Sequence, residues 1–75
     1  MTMNLIDGKE MIEFFLKEKV KVHIDLEDGT FLNGFFIREV KKGLYILKED
    51  KLGEVYVFVK QIYKLFQYRE KGGGE

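Results

Sequence analysis

The chain has 75 residues, and its 13 Lys and Arg residues balance its 13 Asp and Glu residues, so the formal net charge is zero. This length accommodates a single small domain, and the absence of Cys excludes disulfide scaffolds, thiol catalysis and Cys-ligated zinc sites. The zero net charge excludes a protein that coats nucleic acid through bulk charge, but it is compatible with a local basic patch.

The composition also argues against catalysis. The sequence contains no Ser, its only Thr residues are Thr2 and Thr30, and its only His is His23. These residues supply neither a nucleophile paired with a base nor a cluster of metal ligands. We therefore expect a binding or assembly protein that is not an enzyme and has no cofactor or metal site.

A domain of this size has little room for a core. It buries only about 60% of the surface of its unfolded chain, and such domains often depend on disulfides, metals or partner subunits. Hydrophobic residues make up 45% of the chain and aromatic residues 15%, so large side chains and oligomerisation are the remaining sources of stability. The many Lys and Glu residues and the lack of Ser are typical of thermophilic proteins.

The first predicted element is a helix over residues 8–18. Asp7 and Glu10 have the spacing of a capping box with Asp as the N-cap. Apolar residues then recur at helical spacing, namely Met11, Ile12, Phe15 and Leu16. Because both charge signs occur on the opposite side, this stripe predicts packing on a sheet and not binding to a membrane surface.

From residue 19 the apolar period changes from about 3.6 to about 2, which predicts a β-strand with one wet face. The strand ends at Asp28-Gly29, a strong signal for a tight turn between two strands. His23 lies on the polar face, where we expect a solvated side chain. We interpret Asp25, Glu27 and Asp28 as a solvated edge and not as a cation site.

The second predicted strand, residues 30–40, carries apolar side chains on both faces and is interrupted by Asn33-Gly34. A hairpin turn at this pair would leave two fragments that are too short to be useful. We therefore predict a bend within one strand, where glycine allows sharp curvature or the close approach of another strand. Strong curvature of this kind closes small barrels.

The remaining chain predicts three further strands, with short turns before and between them. The strands cover residues 44–48, 54–59 and 62–68, and the turns cover residues 41–43, 49–53 and 60–61. Connections this short leave no room for crossover helices, so the sheet should be antiparallel. We predict one mainly β domain over residues 1–68, with an N-terminal α-helix and a bent five-stranded antiparallel small barrel of the SH3-like or OB-like kind.

The two ends of the chain carry little further information. Residues 69–75 are charged and Gly-rich, which predicts a flexible tail. No apolar run approaches the roughly 20 residues of a membrane span, and no leader with a basic and then an apolar segment is present. We therefore expect a cytoplasmic protein that does not bind membranes.

At this point the sequence resembles the Sm-like family, which includes the Sm and LSm proteins, their archaeal relatives and the bacterial host factor Hfq. Residues 20–29 match the family's alternating first strand and its Asp/Asn-Gly turn. Residues 31–36 match its apolar bend around a glycine, and residues 55–65 resemble the shape of its second motif. The resemblance covers about residues 8–67 and implies a strongly bent barrel that forms rings and binds RNA.

The residues that read bases in the family are not kept. An Asp and an Asn often line a uridine pocket after the second strand, and the aligned positions here are Val40 and Leu44. The Sm Arg-Gly pair aligns near Phe58-Val59, and the Hfq Tyr-Lys-His triplet aligns near residues 58–60. The resemblance therefore implies RNA binding with weak base specificity.

In Sm-like rings the fourth strand of one subunit pairs with the fifth strand of the next. The resemblance thus implies an oligomer interface that includes Val55, Val57, Val59, Tyr63 and Leu65. An apolar edge strand is an aggregation hazard on a monomer, whereas pairing in a closed homo-oligomeric ring removes the free edge.

The resemblance also identifies two loops that face RNA in such rings. Lys41 and Lys42 lie in one loop, and Lys60 and Gln61 lie in the other. Lys contacts phosphates, Gln can hydrogen-bond base edges, and repetition around a ring concentrates positive charge. For a single chain, solubilising turn lysines are an equally good interpretation. Tyr45, beside the first loop, is our candidate for stacking on a base.

Two functions remain open. The first is an Sm-like homo-oligomeric ring that binds single-stranded RNA with weak base specificity. The second is a protein-interaction or assembly module that keeps the barrel for its strand edges and aromatic surface and has lost RNA binding. The zero net charge and the replaced pocket residues favour the second.

Overall fold

The computed structural model describes residues 5–69, and it describes side chains from Lys9 onward. One helix is followed by five strands, with a 3-10 turn between the last two. The elements are α1 (Leu5–Glu18), β1 (Val22–Leu26), β2 (Phe31–Lys41), β3 (Leu44–Glu49), β4 (Gly53–Phe58), the 3-10 turn (Val59–Gln61) and β5 (Ile62–Gln67). Most of the predicted flexible tail, residues 70–75, lies outside the described residues.

The helix begins earlier than the sequence predicts. The prediction of Asp7 as the N-cap is wrong, because α1 begins at Leu5 and Asp7 lies inside the helix. The predicted apolar stripe does reach the core: Ile12 and Phe15 are buried, and Met11 packs against them. The helix lies on β2 and on the 3-10 turn, which confirms the expected packing against the sheet.

The strands form one antiparallel sheet in the order β4-β3-β2-β1-β5. The predicted mainly β fold with an N-terminal helix and five antiparallel strands is confirmed. The sheet is not closed into a barrel, because β5 pairs with β1 and β4 pairs with β3, and the two do not pair with each other. Both are therefore edge strands, although only the 3-10 turn separates them along the chain.

Gly34 positions β2 against β3. The strand runs continuously through Asn33-Gly34, so a hairpin turn there is excluded, and the predicted close approach of another strand at this glycine is confirmed. A Cβ atom on Gly34 would meet the β3 backbone, namely the carbonyl oxygen of Lys48, the carbonyl carbon of Lys48 at 2.8 Å and the Cα of Glu49 at 2.9 Å. The register between the two strands also shifts between Phe36 and Arg38, as at a β-bulge.

The core lies between α1 and the inner face of the sheet. It consists of Ile12, Phe15, Val22, Ile24, Leu32, Phe36, Tyr45, Leu47, Val57 and Leu65. The outer face leaves large apolar side chains exposed, including Phe31 on β2 and Tyr56 on β4. The two apolar faces predicted for β2 therefore have different environments, since Leu32 is buried and Phe31 is 59% exposed.

The turn between β3 and β4 is held by one buried carboxylate. Glu49 accepts hydrogen bonds from the backbone N–H groups of Lys51 (2.7 Å), Leu52 (2.9 Å) and Asn33 (3.1 Å). These bonds, led by the one from Lys51, lower the pKa of Glu49 below its ordinary value of 4.5. The carboxylate thus joins β2 to the β3–β4 turn and satisfies donors that would otherwise be unpaired.

Candidate nucleic-acid interface

Two lysine-bearing turns meet at one end of the sheet. Lys41 ends β2, Lys42 follows it, and Gly43 has a positive φ of 80° that lets the chain return as β3. The backbone N–H of Val59, the first residue of the 3-10 turn, donates to the carbonyl oxygen of Gly43 at 2.9 Å. This bond holds the two turns together and brings Lys60 to the same end as Lys41 and Lys42.

The 3-10 turn also contacts the residue that follows β1, through Gln61. The carbonyl oxygen of Gln61 accepts a hydrogen bond from the backbone N–H of Glu27 at 3.0 Å. The Gln61 side chain is exposed. The sequence placed Lys41, Lys42, Lys60 and Gln61 in two separate loops, and backbone hydrogen bonds now bring these loops together.

The lysines of this end are exposed and carry unneutralised charge. Within residues 9–69, no carboxylate lies within ion-pair distance of Lys41, Lys42 or Lys60. The nearby Glu39 is already engaged, because it accepts hydrogen bonds from the Lys9 ammonium (3.0 Å) and the Gly43 N–H (3.1 Å). These contacts, with Lys9 first, lower the pKa of Glu39. We call this end, defined by Lys41, Lys42, Lys60 and Gln61, the lysine end.

Tyr45 is not available for stacking, which corrects the prediction made for it. Its side chain is fully buried, with its ring edge against Phe36 at a centroid distance of 5.6 Å. Its hydroxyl donates to the Glu13 carboxylate at 2.6 Å, and the Lys9 ammonium lies 3.4 Å from the same oxygen. Burial, followed by the bond to Glu13, raises the pKa of Tyr45 to about 12. Tyr45 therefore ties β3 to α1.

Four apolar side chains occupy the positions that align with the base-reading residues of the Sm-like family. Leu44 is buried, Val59 is half-buried, and Val40 and Phe58 are 40% and 38% exposed. None of these side chains offers a hydrogen bond to a base edge. The lysine end can contact phosphates, but these four positions cannot read a base through polar groups.

The predicted interface residues divide between the two faces of the edge strands. Val57 and Leu65 are 2% and 5% exposed and belong to the core, so their side chains cannot contact another subunit. Val55 and Val59 are half-buried, and Tyr63 is 65% exposed. Val57 and Leu65 point inward because successive side chains of a strand point to opposite faces, so in an interface they would contribute through their backbone groups.

The exposed side chains of these edges were missed. They are Tyr56 and Phe58 on β4, and Phe66 beside the predicted Tyr63 on β5. The sequence did contain a signal for them, because Tyr56 and Phe58 are two residues apart in the apolar run of residues 55–59 and therefore lie on the same face of the strand.

His23 is also not the solvated side chain that the sequence predicts. It is half-buried on the outer face, with Nδ1 2.6 Å from the Asn33 side-chain oxygen and Nε2 2.9 Å from an Asp25 carboxylate oxygen. Its ring stacks on Phe31 at 5.4 Å and is tilted against Phe66 at 5.3 Å. These partners come from β2 and β5, so pairing between distant strands creates an environment that the local sequence does not reveal.

The acidic residues around the first turn have a structural role. Asp28 accepts hydrogen bonds from the Thr30 hydroxyl (2.6 Å) and the Thr30 N–H (2.9 Å), and these bonds lower its pKa. Among the residues described, no group of three or more His, Asp or Glu side chains is arranged to hold a metal ion. The same part of the chain contains no helix with the length and apolar character needed to cross a membrane.

Comparison with known protein families and with curated protein sequences finds no match to this chain.

Proposed function

We propose that this protein is an Sm-like subunit that assembles into a homo-oligomeric ring and binds single-stranded RNA at its lysine end. The observation that carries the RNA proposal is the hydrogen bond between Val59 and Gly43, which brings two separate basic turns together. Three exposed lysines without carboxylate partners within residues 9–69 then form a local positive patch on a neutral chain. Such a patch attracts phosphates, and a ring would repeat it around its axis.

The edge strands support the ring. β4 and β5 lie at opposite edges of one sheet, so a head-to-tail pairing of β4 with the β5 of a neighbour is geometrically open. Both edges expose aromatic side chains, with Tyr56 67% exposed on β4 and Tyr63 65% exposed on β5. Pairing would cover these rings and satisfy the free backbone groups of both edges.

Base specificity in this proposal is weak. The side chains at Val40, Leu44, Phe58 and Val59 provide no hydrogen-bond donors or acceptors, which leaves Gln61 as the polar side chain of the lysine end that can reach a base edge. We therefore expect binding to depend on phosphate charge more than on sequence.

The test combines oligomeric state with RNA affinity. Size-exclusion chromatography with light scattering should give a closed oligomer, and fluorescence anisotropy should detect binding of labelled oligo-U and oligo-A at low salt. The triple variant Lys41→Gln/Lys42→Gln/Lys60→Gln should reduce the slope of log affinity against log salt by about 2 for each subunit engaged, since each contact with a single strand contributes about 0.7.

The matched control is Lys17→Gln/Lys48→Gln/Lys51→Gln, which removes the same charge from exposed lysines elsewhere. It should keep the original affinity and salt slope. A monomer that ignores both oligonucleotides at low salt contradicts the proposal, and so does an equal effect of the two triple variants.

A second candidate function is a protein-interaction or assembly module without RNA binding. The observation that favours it is the exposure of large aromatic side chains on the outer face, including Phe31 at 59% and Tyr56 at 67%. Purification with a stoichiometric protein partner and without nucleic acid supports this function. A high ratio of absorbance at 260 nm to that at 280 nm in the purified protein contradicts it.

A further inference from the structure

The outer face of the sheet contains a pocket far from the lysine end along the strands. It has a volume of about 410 Å³ and is lined by His23, Phe66, Gln67, Tyr68 and Arg69. It lies where β1 begins and β5 ends, whereas the lysine end lies where β5 begins. The volume is within the range of roughly 300–1,000 Å³ that is typical of small-molecule sites.

Aromatic rings form the walls of this pocket. His23 and Phe66 are cross-strand partners, with ring centroids 5.3 Å apart and ring planes inclined by 51°. Tyr68 is two residues after Phe66, which is the spacing of side chains on one face of a strand. Its N–H donates to the Lys21 carbonyl at 2.9 Å, so the pairing with the β1 side continues beyond the end of β5. All five lining residues belong to one subunit, so the pocket does not require a ring.

His23 supports the Phe66 ring at this pocket and offers no free nitrogen. Both ring nitrogens are already within hydrogen-bond distance of oxygens, Nδ1 of Asn33 (2.6 Å) and Nε2 of Asp25 (2.9 Å). These contacts fix the plane of the ring and engage the two atoms that would bind a metal or move a proton. The His23 ring is also packed between Phe31 and Phe66, at centroid distances of 5.4 and 5.3 Å, so the aromatic surface open to a ligand is the ring of Phe66, which is 46% exposed.

Arg69 supplies the charge of the pocket. It is exposed, and within residues 9–69 no carboxylate forms an ion pair with it. Lys21 lies nearby, but its ammonium is held 4.4 Å from the Tyr68 ring centroid and 2.6 Å from an Asp50 oxygen. Arg69 is thus the lining cation available to an anionic ligand.

From this combination we propose that the pocket binds a nucleotide, with its base stacked on the exposed ring of Phe66 and its phosphate paired with Arg69. A planar base matches the aromatic walls, and guanidinium is well suited to bidentate contact with phosphate. An acidic peptide fits less well, because recognition of such peptides uses clusters of Arg and this pocket has one.

The experiment is a titration of ¹⁵N-labelled protein with AMP and UMP, followed by NMR. We expect the backbone amides of residues 66–69, the Gln67 side-chain amide and the Arg69 Nε signal to shift and saturate. Phe66→Ala should weaken the affinity about 5- to 100-fold, which is the usual effect of removing one stacking ring. Arg69→Gln should weaken AMP binding but leave adenosine binding unchanged, because it removes only the phosphate contact.

The matched controls are Phe14→Ala and Arg38→Gln, which alter an exposed ring and an exposed cation away from the pocket. Both should bind AMP as the original protein does. The inference is overturned if AMP and UMP cause no shifts at residues 66–69, if Phe66→Ala binds AMP normally, or if only an acidic peptide such as hexaglutamate shifts these signals.

A labelled hexanucleotide series identifies the source of the nucleotide and separates this inference from the RNA proposal. If the affinity rises from AMP to oligo-A, the ligand of the pocket is a nucleic-acid strand. If AMP and oligo-A bind with the same affinity when it is expressed per nucleotide, the ligand is the free nucleotide. If Lys41→Gln/Lys42→Gln/Lys60→Gln leaves oligonucleotide binding intact while Phe66→Ala abolishes it, the pocket stands and the lysine-end proposal fails. The reverse result, together with normal AMP binding by Phe66→Ala, overturns the pocket alone.

Discussion

Tyr45 brings a hydroxyl group into a core that is otherwise apolar. The group is satisfied by Glu13 and lies 3.4 Å from the Lys9 ammonium, so α1 and β3 are joined by a hydrogen bond as well as by packing. The cost of burying a phenol is met in this way, since a buried polar group without a partner is strongly destabilising.

We expect Tyr45→Phe to lower the free energy of unfolding at pH 7 by about 1 kcal/mol through loss of this hydrogen bond. The folded-state pKa of about 12 lies above the ordinary value of 10.0, so the stability from the protonated hydroxyl is complete below pH 10. This stability is lost as pH rises from 10 towards 12. The Tyr45→Phe variant has no hydroxyl at this position, so its free energy of unfolding should fall less over the same range.

Urea unfolding at pH 7, 9, 10 and 11 measures this difference for both proteins. Lysines titrate in the same range but are common to the two, so their contribution cancels in the comparison. A difference between the two proteins that stays constant across these pH values would contradict the assignment. RNA affinity at pH 7 should be the same for both, because Tyr45 is buried.

Lys19 ends α1 in an uncommon backbone conformation. Its φ is +57°, and the N–H groups of Lys19 and Val20 donate to the carbonyls of Leu16 and Phe15 at 3.3 and 3.0 Å. This is the Schellman arrangement, in which glycine is the usual residue because the left-handed region is unfavourable for a residue with a Cβ.

Lys19→Gly should therefore stabilise the protein by about 1 kcal/mol, since it removes the strain of the left-handed conformation. The paired variant Lys17→Gly, inside the last turn of α1, should destabilise by about 1 kcal/mol. Thermal unfolding followed by circular dichroism compares them. If both variants shift the melting temperature in the same direction, this account of the helix end is incorrect.

At the scale of elements, much of the fold could be predicted from the sequence. The change of period after the helix identified the strands, and Asp28-Gly29 identified the first turn, because both signals depend on residues close together in the chain. The surroundings of His23 and the open sheet depend on pairing between distant strands. The register of β5 on β1 puts Phe66 beside His23, and no local pattern contains that information.

The β2–β3 pair depends most on Gly34. Because its missing Cβ would meet backbone atoms of Lys48 and Glu49, a larger residue cannot be accommodated by moving a side chain. We expect Gly34→Ala to destabilise the protein by about 3 kcal/mol or more. Arg38→Ala, an exposed position on the same strand, should change the stability by less than about 0.5 kcal/mol. Urea unfolding separates the two, and equal midpoints would be incompatible with this packing.

At the scale of the whole molecule, the chemical features are distributed over different regions. The lysine end gathers charge at the β2–β3 and 3-10 turns, the pocket around Phe66 lies at the opposite end of β1 and β5, and the free edges carry exposed aromatic rings. In the proposed ring, RNA at the lysine end and a neighbouring subunit at the strand edges would therefore use different surfaces. Only the lysine loops could be anticipated, because each is a short run in the sequence, whereas the pocket joins residue 23 to residues 66–69.

The pairing of β5 with β1 has a consequence for the order of folding. β1 to β4 pair with their neighbours through short turns, whereas β5 pairs with a strand about 40 residues earlier, so its loop-closure entropy is the largest in the sheet. We expect β5 to dock after the transition state. Leu65→Ala should then mainly accelerate unfolding, and Leu47→Ala, in the local β3 pairing, should mainly slow folding.

Stopped-flow chevron plots of the two variants measure this order, and a larger loss of folding rate in Leu65→Ala would reverse it. During synthesis, β1 has no partner on this side until β5 has left the ribosome. The sheet is thus completed only after residues 62–67 have been made, and the contacts of Val22 and Ile24 with β5 form last.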